Sequence, residues 1–212
     1  MTKVIIVDDH SLIRVGIRNV LLRSDLNAEI VGEASSAAEL LKLLAKKSPN
    51  IVLLDITLTD RNGIDLLHDL KGMFPELAVL VLSMHPEEHF AVRALKAGAS
   101  GYLSKSAVYS ELVHAVRVIV KEKKRYISTE VAEELAAEVT GETENSPHKK
   151  LSDREYQVLI FIANGKKVSD IADTLSLSVQ TIHSYRTRIK DKMNMDSNAE
   201  LIRYAIEHQL VA

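Results

Sequence analysis

Asn50 to Leu67, NIVLLDITLTDRNGIDLL, carries a run of branched apolar side chains, Ile51 to Leu54, into a single carboxylate, Asp55. A short apolar run of this kind reads as a strand of a parallel sheet, covered on both faces. Beyond Asp55 the chain turns at Asp60-Arg61-Asn62-Gly63 and resumes helical spacing with Ile64, Leu66, Leu67 and Leu70. Asp55 therefore falls at the carboxyl end of a strand in a βα unit, where open α/β sheets place their ligand sites. Taken alone, an Asp at this position is equally well a turn cap.

Outward from this stretch the same alternation repeats. Upstream, Lys3 to Val7 is an apolar strand that ends on Asp8 and Asp9, followed by Leu12, Val15, Ile17, Leu21 and Leu22 at helical spacing. A short strand at 29–33 and a helix at about 36–46 come next. Downstream, the strand 78–82 is closed by Ser83 and followed by a helix at 87–97; the strand 100–103 is closed by Lys105 and followed by a helix at 108–120. Five strands alternating with five helices imply an α/β domain, a doubly wound parallel sheet with right-handed crossovers.

The chain has 212 residues, long for one compact domain and comfortable for two. With 46% apolar and 26% charged residues, 4 Pro and 8 Gly, its composition excludes a disordered or fibrous chain. No apolar run reaches the length of a membrane span, and MTKVIIVDDH meets an acidic pair too soon for a cleaved signal, so a cytoplasmic location is expected. The absence of cysteine excludes disulfides and cysteine-ligated metal centres. Without cysteine, His85 and His89 make no structural zinc pattern. Residues 1–147 hold 17 basic against 21 acidic side chains, net −4, and residues 148–212 hold 10 against 8, net +2. The difference weakly favours a C-terminal half that approaches polyanions.

After KEKKR the pattern recovers as a polar-faced helix at about 129–139, then lapses in TGETENSPHKK, Thr140 to Lys150, which reads as a linker. The expected division is a domain of residues 1–122, a partly helical linker of 123–149, and an all-α domain of 150–212 built from four short helices. These fall at about 153–164, 168–175, 179–193 and 198–208. Gly165 sits where a left-handed C-cap residue belongs, and Ser178 is placed to N-cap the third helix. On that helix Val179, Ile182, Ile189 and Met193 mark an inward side. Gln180, His183, Ser184, Thr187, Arg188 and Lys190 face outward, with short polar and basic side chains suited to a DNA major groove. A helical dimerisation or peptide-binding module has the same general pattern.

In the first domain, the chain lacks a Gly-x-Gly-x-x-Gly or a Walker-type loop, so nucleotide binding loses its best sequence support. It has instead Asp8, Asp9 and Asp55 at strand ends, with Ser83 and Lys105 on the same rim. Three converging carboxylates repel unless a cation compensates, and oxygen ligands suit Mg2+, or Mn2+ in its place. A cation held by Asp8, Asp9, Asp55 and the Thr57 backbone carbonyl would neutralise phosphoryl oxygens while Asp55 attacks phosphorus. Lys105 and Ser83 suit two further phosphoryl oxygens.

These residues resemble the phosphorylation site of a two-component response regulator, and the whole chain is similar to the NarL/FixJ family, whose output is a LuxR-type helix-turn-helix. The output resemblance rests on Leu151-Ser152, Arg154-Glu155, Val158-Leu159, Ile171-Ala172, Ser178-Val179, Thr181-Ile182, Arg188-Ile189 and Lys192-Met193. It implies a flavodoxin-like receiver with phosphoacceptor Asp55, catalytic partners Ser83 and Lys105, and a switch through Ser83 and Tyr102. On phosphorylation Ser83 would be drawn to the phosphoryl group and Tyr102 would move into the space it leaves. The resemblance also implies a DNA-contacting set of Ser178, Gln180, Thr181, His183, Ser184, Thr187, Arg188 and Lys192, with dimer contacts through Leu201, Ile202 and Ala205. The implied partners are double-stranded DNA, a sensor histidine kinase or phosphotransfer protein, and a second copy on activation.

The sequence departs from the family at Leu58-Thr59, where Met-Pro is frequent, and at Lys105-Ser106, where Lys-Pro is frequent. His183 and Tyr185 stand where Lys and His are common. Three other readings compete: a receiver-controlled protein-interaction module, a DNA-binding regulator independent of phosphorylation, and a Mg-dependent phosphatase using Asp55 as nucleophile.

Overall fold

A computed structural model describes residues 1–58, 60–83, 87–139, 146–208 and 210–211, with the side chains of 87–89, 130, 134 and 137–139 left aside. Thr59, His85, the His89 side chain and residues 140–145 of the expected linker lie outside what it describes. The chain folds as two compact units, Met1–Ala136 and Ala137–Ala212.

The first unit alternates β1 (Thr2–Val7), α1 (Ser11–Leu22), β2 (Ala28–Ala34), α2 (Ala37–Leu44), β3 (Ile51–Asp55), α3 (Gly63–Met73), β4 (Ala78–Ser83), α4 (Glu87–Lys96), β5 (Gly101–Ser104) and α5 (Val108–Val120). All strand pairs are parallel, in the order β2-β1-β3-β4-β5. Consecutive strands run outward from β1 to one edge and from β3 to the other, so the carboxyl ends of β1 and β3 meet at the switch point. Successive side chains alternate between faces. Val4, Ile6, Ile51, Leu53, Leu80, Leu82 and Leu103 share one core cluster with Ile17 and Leu21 of α1 and Leu112, Val116 and Ile119 of α5. The intervening Ile5, Val7, Val52, Leu54, Val79 and Val81 are equally buried.

On α1, helical spacing overstates what is covered. Ile17 and Leu21 are buried, whereas Leu12 is 80% and Leu22 55% exposed. Ile13 and Val20 complete the packed side instead. The stretch expected to begin the linker remains attached to the sheet: Tyr126 N–H donates to Ser100 O at 2.9 Å, and Val131 of α6 (Thr129–Val139) is buried. Gly101 is needed there, because a Cβ at this position would lie 2.8 Å from the Tyr126 carbonyl.

In the second unit a 3-10 turn, Pro147–Lys150, precedes α7 (Asp153–Ala163), α8 (Val168–Thr174), α9 (Val179–Met193) and α10 (Asn198–Glu207). Ser152 and Glu155 form a reciprocal capping box at the start of α7. Gly165 takes a φ of +74° after α7, as its sequence position suggests, and Ser178 accepts from Thr181 N–H at the start of α9. The turn between α8 and α9 passes through Ser176 at a φ of +51°. Buried Ile162, Ile171, Leu175, Ile182, Ile189, Met193 and Leu201 supply the core.

Candidate functional site

The loop after β3 folds back on the strand that carries Asp55. Thr57 bridges Asn62, Gly63 N–H donates to Ile56 O at 3.0 Å, and the Asn62 side chain caps α3 by accepting from Ile64 N–H at 2.8 Å. Gly63 has no room for a side chain: a Cβ would lie 2.5 Å from the Ile56 Cα and 2.8 Å from Asp55 O. Asp60, in the same loop, accepts from Ala37 N–H and Ala38 N–H, placing its charge at the amino end of α2. The turn thereby fixes Asp55 and helps hold a neighbouring helix.

Asp8 and Asp55 are buried, as are Ser83 and Lys105. Lys105 Nζ donates to Asp55 Oδ2 at 2.8 Å and lies 2.7 Å from Asp8 Oδ2. The latter is a charge contact outside hydrogen-bond geometry. Asp55 Oδ1 accepts from Thr57 N–H at 3.0 Å, and Asp8 Oδ1 accepts from His10 N–H at 2.8 Å. Lys105 is brought to the rim by its own N–H, which donates to Ser83 O at 2.6 Å as β5 leaves β4. The structure thus brings together Asp8, Asp9, Asp55 and Lys105, with Ser83 at the adjoining strand end.

One ammonium among these carboxylates leaves the cluster short of positive charge. Burial pushes the Asp55 carboxyl up, with Asp8 adding to the rise and Lys105 opposing it. Burial acts to lower Lys105, but the Asp55 and Asp8 carboxylates overcome it and hold the ammonium above its ordinary value. The two short contacts keep the charge on the Lys105 ammonium, against which burial and Asp8 raise the Asp55 carboxyl. Among the described residues, Asp8 Oδ2 and Asp9 Oδ1 are enclosed with no hydrogen-bond donor directed at them. Donor atoms of Asp8, Asp9, His10 and Asp55 all lie within 4.8 Å of one another. This donor set fits a hard divalent cation.

Arg14 was not singled out in the sequence. Its Nη1 donates to Asp8 O at 2.6 Å, and its Nε donates to Glu33 Oε2 at 3.4 Å, tying the end of β1 to β2 through α1. Its position in the first turn after the acidic pair was the available signal. Tyr102 is only 2% exposed. Its ring is enclosed beside the strand end that carries Ser83.

In the second unit, Gln180, Ser184, Thr187 and Arg188 form one exposed side of α9, and His183 is half-buried beside it. Val179 lies outside the core at 47% exposure, because at the first turn the helix has not yet reached its neighbours. Ser178 and Thr181 serve the helix end, their hydroxyls 2.7 Å apart. Lys192 donates to Glu155 Oε2 at 2.6 Å, which makes it a strut between α9 and the α7 capping box. On α10, Leu201 and Ala205 are fully enclosed within the unit. Their side chains face the unit's own core, whereas Ile202, partly covered, and Ile206, 56% exposed, occupy the outer side. His148, assigned no role from sequence, is buried with its Nδ1 2.8 Å from Tyr204 Oη, anchoring the 3-10 turn to α10.

Glu155 also yields a stability expectation. Although burial acts to raise it, hydrogen bonds from Lys192 and Ser152 hold its carboxyl below the ordinary value. A lowered carboxylate pKa gives stability that is present above pH 4.5, its ordinary value, and lost as pH falls through the folded-state value. Glu155→Ala is expected to destabilise the second unit by about 2 kcal/mol near neutral pH, through the lost cap and charged hydrogen bond. Glu155→Gln should flatten the acid limb of its stability profile. Chemical denaturation of the full chain across pH measures both.

A five-stranded parallel sheet with an acidic pair, a strand-end Asp and a buried Lys at one rim, joined to a helix-turn-helix unit, defines a receiver coupled to a DNA-binding output. Comparison with known proteins agrees: residues 4–117 match the response regulator receiver domain, and residues 149–205 match the bacterial regulatory proteins of the luxR family. The chain belongs to the two-component response regulators of the NarL/FixJ type. It is 37% identical to the response regulator GacA of Pseudomonas aeruginosa over 213 residues, covering 100% of this chain and 98% of that one. It is 34% identical to the response regulator UvrY of Escherichia coli, covering 99% and 96%. Among solved structures, RcsB from Salmonella enterica serovar Typhimurium, bound to promoter rprA with the phosphomimetic BeF3-, is 27% identical with a TM-score of 0.65, covering 96% and 97%.

Proposed function

We propose that this chain is a transcriptional regulator that accepts a phosphoryl group on Asp55 from a sensor histidine kinase or phosphotransfer protein and, as a homodimer, binds specific double-stranded DNA through α9. The observation that carries the reading is the buried Asp55 sharing Lys105 with Asp8 at the sheet switch point. Asp8, Asp9, Asp55 and the Thr57 carbonyl would hold Mg2+, or Mn2+, which when bound supplies neutralising charge to the phosphoryl oxygens.

In the transfer, an Asp55 carboxylate oxygen attacks phosphorus, and the bond from phosphorus to the donor imidazole nitrogen breaks with its electron pair on nitrogen. The product is an acyl phosphate. Its ester oxygen no longer carries carboxylate charge, so Lys105 follows the negative charge onto a phosphoryl oxygen. Ser83, buried at the end of β4, offers a hydroxyl to another. The switch runs through Ser83, drawn to the phosphoryl group, and Tyr102, which moves into the space that Ser83 leaves. Slow hydrolysis of the acyl phosphate returns the carboxylate, so the chemistry is stoichiometric and the protein is not an enzyme of small-molecule turnover.

In this reading residues 1–122 are the receiver, 123–149 connect, with Tyr126 and Val131 still held to the first unit, and 150–212 are the output; partnership with a kinase and with DNA fits a cytoplasmic location. No helix among the described residues is long and apolar enough to cross a membrane. DNA contact falls to Gln180, His183, Ser184, Thr187 and Arg188, with Ser178 and Thr181 presenting the amino end of α9. Lys192 contributes by bracing the helix against α7. The second copy meets α10 at Ile202. The phosphoryl reading is tested by incubating the chain with a small phosphoryl donor and Mg2+ and locating the added group by mass; its absence from Asp55 rejects the reading. For DNA, Arg188→Ala is expected to weaken specific binding about tenfold and to reduce the dependence of log affinity on log salt by about one unit. Fluorescence anisotropy at several salt concentrations checks this, and the fold should be unchanged because Arg188 is exposed.

A further inference from the structure

We propose that the first unit binds a small oligophosphate anion, either free or as part of a nucleotide, in a basic cavity at the sheet rim opposite Asp55. The cavity, of about 330 Å³, lies where β3, β4 and β5 begin, and is lined by Asn50, Lys71, Glu76, Lys123, Lys124 and Arg125 among others. Lys71 comes from α3, and the other three cations from the turn that follows α5. Glu76 lines the cavity and Glu122 Oε2 meets Lys124 Nζ at 3.3 Å, so four cations face two carboxylates. Lys71 registers the excess: burial pushes its ammonium down, Glu76 opposes, and Arg125 adds to the fall.

Two of these cations are held in place by the fold. Lys71 Nζ donates to Pro75 O and to Leu77 O, the latter at 2.9 Å, which leaves the third donor of the ammonium for a ligand. Lys123 takes a φ of +57°, and around it Glu122 N–H donates to Arg117 O at 3.3 Å and Lys124 N–H to Val118 O at 3.2 Å. This left-handed turn closes α5 at a position that glycine fills at least cost. A lysine stands there at a conformational cost, and strain of that kind points to a use for the side chain. On the far side of Arg125 the turn is pinned again, by Tyr126 N–H on Ser100 O. Cations complement the carboxyl end of a helix, which accounts for the run after α5 but not for Lys71 of another helix or for the cavity between them. An Arg fork and ammonium donors suit phosphoryl oxygens. Linked phosphates bring more charge and more acceptor oxygens than a single phosphate, matching several cations around one cavity. Leu77, Ile119 and Val120 add an apolar wall against which a base or sugar can lie.

The test is calorimetric titration of the full chain with tripolyphosphate, pyrophosphate, adenosine triphosphate, orthophosphate and sulfate, at fixed ionic strength and with a chelator in place of divalent cation. Tripolyphosphate and pyrophosphate are expected to bind at least about tenfold more tightly than orthophosphate or sulfate. Lys71→Gln, Arg125→Ala and Lys123→Gly should each weaken oligophosphate binding by about five- to tenfold. Lys42→Ala, exposed on α2, should leave it unchanged. Lys123→Gly separates binding from folding: glycine favours the left-handed turn, so the variant without anion should unfold at the same temperature as the unaltered chain or higher. Tighter binding of adenosine triphosphate than of tripolyphosphate makes a nucleotide the source, and equal affinity makes it a free oligophosphate. No binding, equal affinity for all five anions, or affinity that survives all three substitutions overturns the proposal. So does a random-sequence DNA duplex whose affinity falls with these substitutions while the small anions fail to bind, which would make the basic turn a contact to DNA phosphates instead.

Discussion

Asp55→Asn is expected to abolish phosphoryl incorporation, with no residual labelling from a small phosphoryl donor and Mg2+. The substitution keeps shape and a hydrogen-bonding group but removes the nucleophilic charge. At the switch point the Asp55 carboxylate is held from two sides by Thr57 N–H at 3.0 Å and Lys105 Nζ at 2.8 Å. Burial pushes the proton affinity of this carboxyl up, and Lys105 opposes the rise. Intact-mass measurement reads the outcome directly. Because an amide relieves repulsion in the cluster, the variant should fold at least as stably as the unaltered chain, so lost labelling cannot be assigned to unfolding.

Lys105→Met should have the second largest effect, in two directions at once. Without divalent cation it leaves Asp8 and Asp55, with side chains 0% and 1% exposed, facing each other with no positive charge between them. Removing one partner of a buried ionic cluster costs about 3–5 kcal/mol. Mg2+ should then restore much of the loss, because a cluster deprived of its ammonium binds a cation more tightly and ligand binding adds stability by mass action. Thermal unfolding with and without Mg2+ measures both effects; a variant as stable as the unaltered chain in the absence of cation would show that Lys105 does not hold the cluster. Phosphorylation should persist, since Asp55 remains, but its influence on DNA binding should be lost.

Residues whose surroundings are dictated by chain geometry were legible in the sequence. The run Ile51 to Leu54 reads as a covered strand, and parallel strand ends share a rim, so alternation placed Asp8, Asp9, Asp55, Ser83 and Lys105 together, while their roles rested on the resemblance to response regulators. Gly165 and Ser178 were legible because left-handed and N-cap positions restrict residue type. What failed was the inference from apolarity to side. Leu12 and Leu22 obey helical spacing yet lie exposed, because the sheet is wide enough to cover only the side of α1 holding Ile13, Ile17, Val20 and Leu21. Leu201 and Ala205 erred the other way: they form the core of a small unit, leaving Ile202 and Ile206 outside. Lys192 looks free in sequence but meets Glu155, 37 residues away. The Arg14 bridge to Asp8 O and the His148 contact to Tyr204 depend equally on tertiary placement, which no local pattern encodes.

The central claim, that phosphoryl chemistry at Asp55 governs DNA binding by α9, is tested most directly by capturing fragmented genomic DNA with the full chain at fixed salt and Mg2+, with and without beryllofluoride. Fixed salt is essential because basic contacts alone bind any duplex weakly. Specific fragments that appear or strengthen on treatment of the unaltered chain, but not of Asp55→Asn, are the predicted result. The same specific fragments bound equally well with and without beryllofluoride would contradict phosphoryl control, and no specific fragments under either condition would contradict DNA recognition by α9.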